Sequence, residues 1–217
     1  MTNSCIRFAA RPLRRRCWLA GRILVAQGSV ISPILANLYL HYVLDVWAKA
    51  WREKVARGEM IIVRYADDAV LGFQYREDAE RFLEQLRERL PKFGLELHSD
   101  KTRLMEFGRF AAERRKRRGE GKPETFHFLG FTHSCGRSLE TGYFTVYRKT
   151  IGKRMAAKLK EIRQELQRRR HASIVETKAW LISVVRGYFQ YHALPDNQQR
   201  MRSFRGDVLR AWLRQLR

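Results

Sequence analysis

Apolar residues along this chain recur with two different spacings, and the alternation between them predicts its organisation. Leu35, Leu38, Tyr39, Tyr42, Val43, Val46 and Trp47 follow the 3, 4, 7, 8, 11, 12 rhythm of one helical face. Ser32 and Pro33 supply its start, a capping hydroxyl followed by proline at the first helical position. The spacing predicts a helix with that face buried. Residues 60–65 and 69–75 are instead rich in Val, Ile, Tyr and Phe, which predicts two strands joined through Asp67 and Asp68. Residues 77–90 return to the helical period with Phe82, Leu86 and Leu90 inside. Glu77, Asp78 and Glu80 suit its positive N-terminus, and Pro91 is expected just beyond its end. Residues 94–98 and 102–108 predict a second hairpin, and 125–131 and 143–147 two aromatic strands.

Beyond about residue 150 no strand pattern remains. Met155, Leu159, Ile162 and Leu166 form one helical stripe. Trp180, Leu181, Val184, Val185 and Tyr188 form a second, and Met201, Phe204, Val208, Trp212 and Leu216 a third. Three such helices predict a small bundle, with a domain boundary near 150. Residues 109–123 have almost no core-forming side chains and predict a mobile basic loop. Residues 1–26 show no clear period, carry six arginines, and predict a poorly ordered or atypical basic N-terminus.

Composition narrows the partners. The 217 residues suffice for one or two domains, and 45% hydrophobic content is that of a globular chain. Lys plus Arg number 44 against 22 Asp plus Glu, a net charge of +22. Such a field favours polyanions, nucleic acid first and an anionic membrane surface second. Cys5, Cys17 and Cys135 are widely spaced and form no CxxC pair, which fits a reducing compartment. Arg22 breaks the one signal-like run, and Asn37, His41 and Asp45 interrupt the one membrane-like run, so stable membrane insertion is not expected.

The adjacent acids carry the candidate chemistry. Asp in a turn is ordinarily turn chemistry, because its side chain bonds nearby backbone N–H groups. Carboxylates on an exposed hairpin tip also suit hard cations such as Mg²⁺ that bind substrate phosphates. Two acids alone seldom hold two metals, so a third carboxylate from another strand is expected. The sequence "VRYADDAVLGF" at 63–73 settles which view to pursue. It resembles the catalytic box of reverse transcriptases, and the ordered blocks around it resemble the group II intron reverse transcriptase/maturase family. These are "QGSVISPILANLYLHYVLDVW" (27–47), "GLELHSDKTRLMEFGRF" (94–110), "FHFLGFTH" (126–133) and "RGYFQYH" (186–192). The resemblance covers about residues 27–217.

The resemblance implies an α+β fold: a partial reverse-transcriptase palm over 27–150, an antiparallel sheet with packed helices, then an α-helical thumb/maturase bundle over 151–217. It implies Mg²⁺ at Asp67 and Asp68, with Lys101 meeting phosphates as a third catalytic group. Tyr65, Gln27 and Gly28 would lie against primer, template or nucleotide. Phe128, Leu129 and Gly130 would grip the primer. RNA contacts fall to Arg114, Arg115, Lys116, Arg117 and Arg118, and to Lys153, Arg154, Lys158, Lys160, Arg168, Arg169 and Arg170. Tyr188, Phe189, Tyr191 and His192 are candidates to stack on bases, whereas His127 and His133 are expected to be structural or surface residues. The implied partners are intron RNA, an RNA template with its DNA primer, and a complementing N-terminal fragment. The implied setting is the bacterial cytoplasm or an organelle. The chain also departs from the family: residues 1–26 contain no acid, so the upstream palm aspartate is missing. Ala26-Gln27-Gly28-Ser29 stands where the family usually has Pro-Gln-Gly-Gly. A truncated form with little polymerase activity alone is expected, together with retained RNA binding.

Overall fold

The computed structural model of the chain describes the backbone of residues 4–12 and residues 31–138 and 140–216 in full. Two compact units emerge, residues 1–124 and 125–217. The break lies before the change of composition near 150, because the aromatic strands pack with the C-terminal helices. The fold is mixed α+β with antiparallel sheets.

In the first unit, strands β1 (Ser4–Pro12), β2 (Met60–Tyr65), β3 (Asp68–Phe73), β4 (Leu95–Leu97) and β5 (Arg103–Glu106) share one sheet. Its order is β2-β3-β1-β4, with β5 also pairing β1. Two expectations change here. Residues 4–12 are not an irregular tail but a strand between β3 and the β4/β5 edge. Residues 94–98 and 102–108 do not form a hairpin with each other; β4 and β5 each pair with β1. The sequence of β1, "SCIRFAARP", lacks the alternation of a half-buried strand, so its partners define it.

Helices α1 (Ser32–Leu40), α2 (Val46–Lys54) and α3 (Arg76–Lys92) belong to the same unit, and a π-helical turn, His41–Asp45, joins the first two. The buried positions are Leu40, Val43, Leu44, Ala48 and Trp51; of the face predicted from Leu35 to Trp47, only Val43 is buried and Trp47 packs against the core. Leu38, Tyr42 and Val46 are exposed. The segment 31–47 is apolar almost all round, so two stripes fit the helical period, and the π turn brings the second inward. Trp51 packs edge-on against Phe82 at 5.1 Å and Phe73 at 6.1 Å, and its indole N–H donates to Gln85 at 2.7 Å. Phe82, Leu86 and Leu90 are buried as predicted. Pro91 lies inside the last turn of α3 instead of beyond it, and Gly94, at φ 66°, follows the helix. Proline is tolerated there because the turn is exposed at Pro91 and closes through Phe93 N–H to Leu90 and Gly94 N–H to Pro91. Buried Asp78 accepts from the backbone N–H of Arg57 and Gly58, fixing the loop before β2.

The expected mobile loop also contains a short helix, α4 (Ala111–Arg117). Charge composition hid it; Glu113–Arg117 and Arg114–Glu106 ion pairs hold it.

The second unit begins with strands β6 (Phe126–Phe128), β7 (Phe131–Arg137) and β8 (Phe144–Thr150) in antiparallel order. Helices α5 (Gly152–Arg168), α6 (Ile174–His192) and α7 (Gln198–Gln215) follow. Their core joins Leu159, Ile162, Leu166, Leu181, Phe204 and Val208. Ser173 caps α6 by accepting from Glu176 N–H. Fully buried Asn197 links strand to helices: it accepts from Thr150 N–H and donates to Thr150 Oγ1 and the His192 carbonyl. No helix among the described residues is long and apolar enough to cross a membrane.

Candidate functional site

Asp67 and Asp68 stand at the tip of the β2–β3 hairpin. Tyr65 pairs with Asp68 across the hairpin, leaving Ala66 and Asp67 as a two-residue turn. Ala66 takes the left-handed conformation at φ 53°, which such a tight turn demands. Ala69, Leu71 and Phe73 point into the core, so Asp68, one position out of phase, lies on the opposite face of the sheet with Val70. Asp67 is exposed and Asp68 half-buried, and Tyr65 beside them is exposed.

Arg64 sets the hairpin, and sequence reasoning missed it. Its guanidinium meets Asp45 twice, Nε to Oδ1 at 2.8 Å and Nη2 to Oδ2 at 2.6 Å. Nη1 donates to Asn37 Oδ1 at 2.9 Å and to the Ala66 carbonyl at 3.0 Å. The hydrogen bonds it donates to Asp45 raise the arginine's pKa against the opposing effect of burial, so it stays charged. One side chain therefore ties the turn carbonyl to α1 and to the π turn. The signal was a lone arginine in an apolar strand, but its partners lie 19 and 27 residues away.

Register brings Lys101 to the same level. β4 reaches Leu97 opposite Ala10, and β5 begins with Arg103 opposite Arg7. The connection 98–102 therefore flanks residues 8 and 9 of β1, and Ala9 faces Asp68 on the other side. Two strand spacings make that separation roughly 10 Å between backbones. Lys101 is exposed, and its turn closes through Lys101 N–H and Thr102 N–H to the His98 carbonyl. Gln27 and Gly28 lie outside the described residues.

The donor set bears directly on a metal. Two adjacent carboxylates suit one hard cation that keeps waters and takes up phosphate oxygens. No group of three or more His, Cys, Asp or Glu residues capable of holding a metal occurs among the described residues. The neighbouring strand offers no further acid: β1 reads "SCIRFAARP", with Ala9 opposite Asp68.

In the second unit, Phe128 and Phe131 pair across a two-residue turn, Leu129 at φ 47° and Gly130 at φ 81°. Glycine is favoured at 130 by its backbone, since side chains are strained at φ 81°, and an added Cβ would also meet Arg154 Nη1 at 3.2 Å. Tyr191 donates its hydroxyl to the Leu129 carbonyl at 2.9 Å, and Ile151 N–H bonds the Gly130 carbonyl. Phe128, Leu129, Gly130, Arg154 and Tyr191 thus share one locality. Of the four stacking candidates Tyr191 is the exposed one; Tyr188 is stacked on Phe204 at 3.8 Å. His133 stacks on Phe126 at 4.8 Å, while His127 is exposed and bonded to Thr132.

The basic residues divide into two kinds. Arg114, Arg115, Arg117 and Arg118 all form ion pairs, with Glu106, Glu113, Glu120 and Glu124. Burial raises the Glu106 pKa, but hydrogen bonds from Arg118 and Arg114 outweigh it and lower the net value. On α5, Lys158 pairs with Glu161, and Arg168 and Arg169 pair with Glu165. Lys116, Lys153, Arg154, Lys160 and Arg170 are exposed and have no carboxylate partner among the described residues. Lys153 and Arg154 sit at the positive N-terminus of α5, where cations are locally unfavourable and an anion is welcome.

The sequence profile of the reverse transcriptase (RNA-dependent DNA polymerase) family matches residues 13–133, 121 of the 217 residues. The match begins inside the N-terminal segment that the motif blocks had left outside the resemblance. No curated protein sequence matches the chain. Among solved structures, the chain is similar to a telomerase from Candida albicans in complex with a TWJ fragment of telomeric RNA, at 15% identity and a TM-score of 0.37. That likeness covers 87% of this chain and 29% of the telomerase chain, so this chain spans under a third of its length.

Proposed function

The chain belongs to the reverse transcriptase (RNA-dependent DNA polymerase) family, and we propose that it works there as an RNA-binding protein of the group II intron maturase kind whose polymerase centre is incomplete on its own. The observation that carries this reading is the strand beside the acidic hairpin. β1 occupies the position next to Asp68 yet brings no carboxylate, with Ala9 directly opposite.

Phosphoryl transfer depends on positioning and on neutralising phosphate charge. A centre with two cations needs ligands shared between them, and Asp67 and Asp68 are too few. They would hold one Mg²⁺, whose chemistry there would be to neutralise phosphate. The chain's own residues do the rest. Arg64 orients the turn, Tyr65 offers an exposed ring beside it, and Lys101 brings a mobile cation toward bound phosphates. A polypeptide supplying a further carboxylate beside the hairpin would complete the centre, which is the role left for a complementing fragment. In the second unit, Lys153, Arg154, Lys160 and Arg170 would bind RNA phosphates, and Tyr191 and the Leu129–Gly130 turn would meet a primer or an unpaired base.

The test is binding of the full chain to a group II intron RNA and to an unrelated structured RNA of equal length, over a range of salt. The reading expects the intron RNA to bind about tenfold more tightly or better, with both affinities falling steeply as salt rises. Equal affinity for the two RNAs would refute the maturase role.

A further inference from the structure

The second unit carries an apolar surface that neither the acidic hairpin nor the basic face of α5 uses. A groove of about 430 Å³ runs between α6 and α7. Its floor is built by Ile182, Val185 and Phe189 of α6 and by Val208, Leu209 and Trp212 of α7. Val208 belongs to the core, but Ile182 is 47% exposed and Leu209 44% exposed. The cause is legible in α6, "IVETKAWLISVVRGYFQYH", whose apolar arc is wider than its neighbours cover. Leu181 is buried in the core, and Val184, Val185 and Tyr188 pack against it, whereas Ile182 extends the arc into the open.

Three cations rim this floor: Lys178, Arg186 and Arg205. None has a carboxylate partner among the described residues, in contrast to Arg210 of α7, which pairs with Asp207. No carboxylate lines the groove among the described residues.

We propose that this groove docks an acidic amphipathic helix of a partner protein. Both walls repeat the i, i+3, i+4, i+7 spacing that receives the anchors of such a helix. The α6 wall from Lys178 to Phe189 is about 16 Å long, room for about three helical turns. Apolar anchors fill the floor, and acids on the flanks of the incoming helix meet the three rim cations. RNA fits this groove poorly: its two rings, Phe189 and Trp212, pack against the core, and the open part of the floor, Ile182 and Leu209, is aliphatic and would desolvate phosphates and base edges without replacing their hydrogen bonds. A second copy of the chain is disfavoured by the net charge of +22.

The experiment is fluorescence anisotropy of the full chain with a labelled synthetic peptide of about 14 residues, leucines at helix spacing and glutamates elsewhere. Its scrambled counterpart keeps composition and charge. At about 0.15 M salt, where loose charge attraction is screened, the amphipathic peptide is expected to bind about tenfold more tightly than the scrambled one. Leu209→Glu and, as a second apolar variant, Ile182→Gln are each expected to weaken it about tenfold, and Arg205→Glu by about threefold to tenfold, with unchanged thermal unfolding. Equal binding of the two peptides would mean bulk charge attraction and would overturn the proposal. So would competition by a single-stranded RNA together with an equal loss of RNA affinity in Leu209→Glu, which would make the groove an RNA surface.

Discussion

In residues 1–124 the candidate chemistry rests on a single two-residue turn, held by one strand pair, one aromatic core and one guanidinium. In residues 125–217 it is spread over a helix face, a hairpin turn and one exposed ring, Tyr191, which is bonded to that turn. The contrast follows from what the proposed function asks of each. Holding a cation against phosphate needs fixed oxygens, so the first unit invests in rigidity: Arg64 makes two bonds to Asp45, one to Asn37 and one to the turn itself. Binding a polyanion needs only enough free cations on one surface, and α5 supplies them without a fixed geometry. A single substitution should therefore break the first unit, whereas the second should yield only to several.

Phe82→Ala is the sharpest test of the rigid side. Phe82 is fully buried among Trp47, Trp51 and Phe73, and its loss should cost about 4 kcal/mol in denaturant unfolding. A loss under about 1 kcal/mol would mean that this core does not anchor the hairpin. Arg64→Ala comes next. It removes charged hydrogen bonds to a mostly shielded partner and should cost about 2 kcal/mol. Arg64→Lys should recover less than half of that, because an ammonium cannot reproduce the two-pronged contact.

On the spread side, replacing Lys153, Arg154, Lys160 and Arg170 together by glutamine should lower the salt slope of RNA binding by up to about 3, and each alone by about 0.7 or less. The same change at Arg114, Arg115, Arg117 and Arg118 should matter less, because those charges are already compensated by glutamates. An equal effect from both sets would erase the distinction. The smallest expected effect is with pH. Burial holds the imidazoles of His133 and His192 below their ordinary value. The unfolded chain then binds protons more readily, so the contribution is full above about pH 6.5 and is lost as pH falls through that value toward the depressed folded pKa. The thermal midpoint of the chain should fall between pH 7 and 5, and less so in His133→Phe.

What was legible follows the same division. The acidic hairpin could be read because two runs of strand-forming residues flank it, and α3 could be read because Phe82, Leu86 and Leu90 leave only one inner face. The segment 31–47 gave the right element but only part of its covered face, Val43 and Trp47, since apolar residues surround it and the π turn at 41–45 decides which stripe is covered. β1 was hidden because its alternation is blurred by arginines and alanines, and long-range pairing defines it. Arg64 was hidden because a side chain's worth depends on partners that the local pattern does not show. α4 was hidden by charge, since its acids and arginines satisfy one another only after folding. The two aspartates and the basic helix were visible as residue types; the absence of an acid opposite Asp68 became specific only once register placed Ala9 there.

The most direct measurement is extension of a DNA primer on an RNA template by the full chain in Mg²⁺, compared with Asp67→Ala in an assay sensitive to single-nucleotide addition. The account predicts no product that depends on Asp67, alongside retained RNA binding in both proteins. DNA synthesis by the unmodified chain that disappears in Asp67→Ala would contradict it and show that two carboxylates suffice.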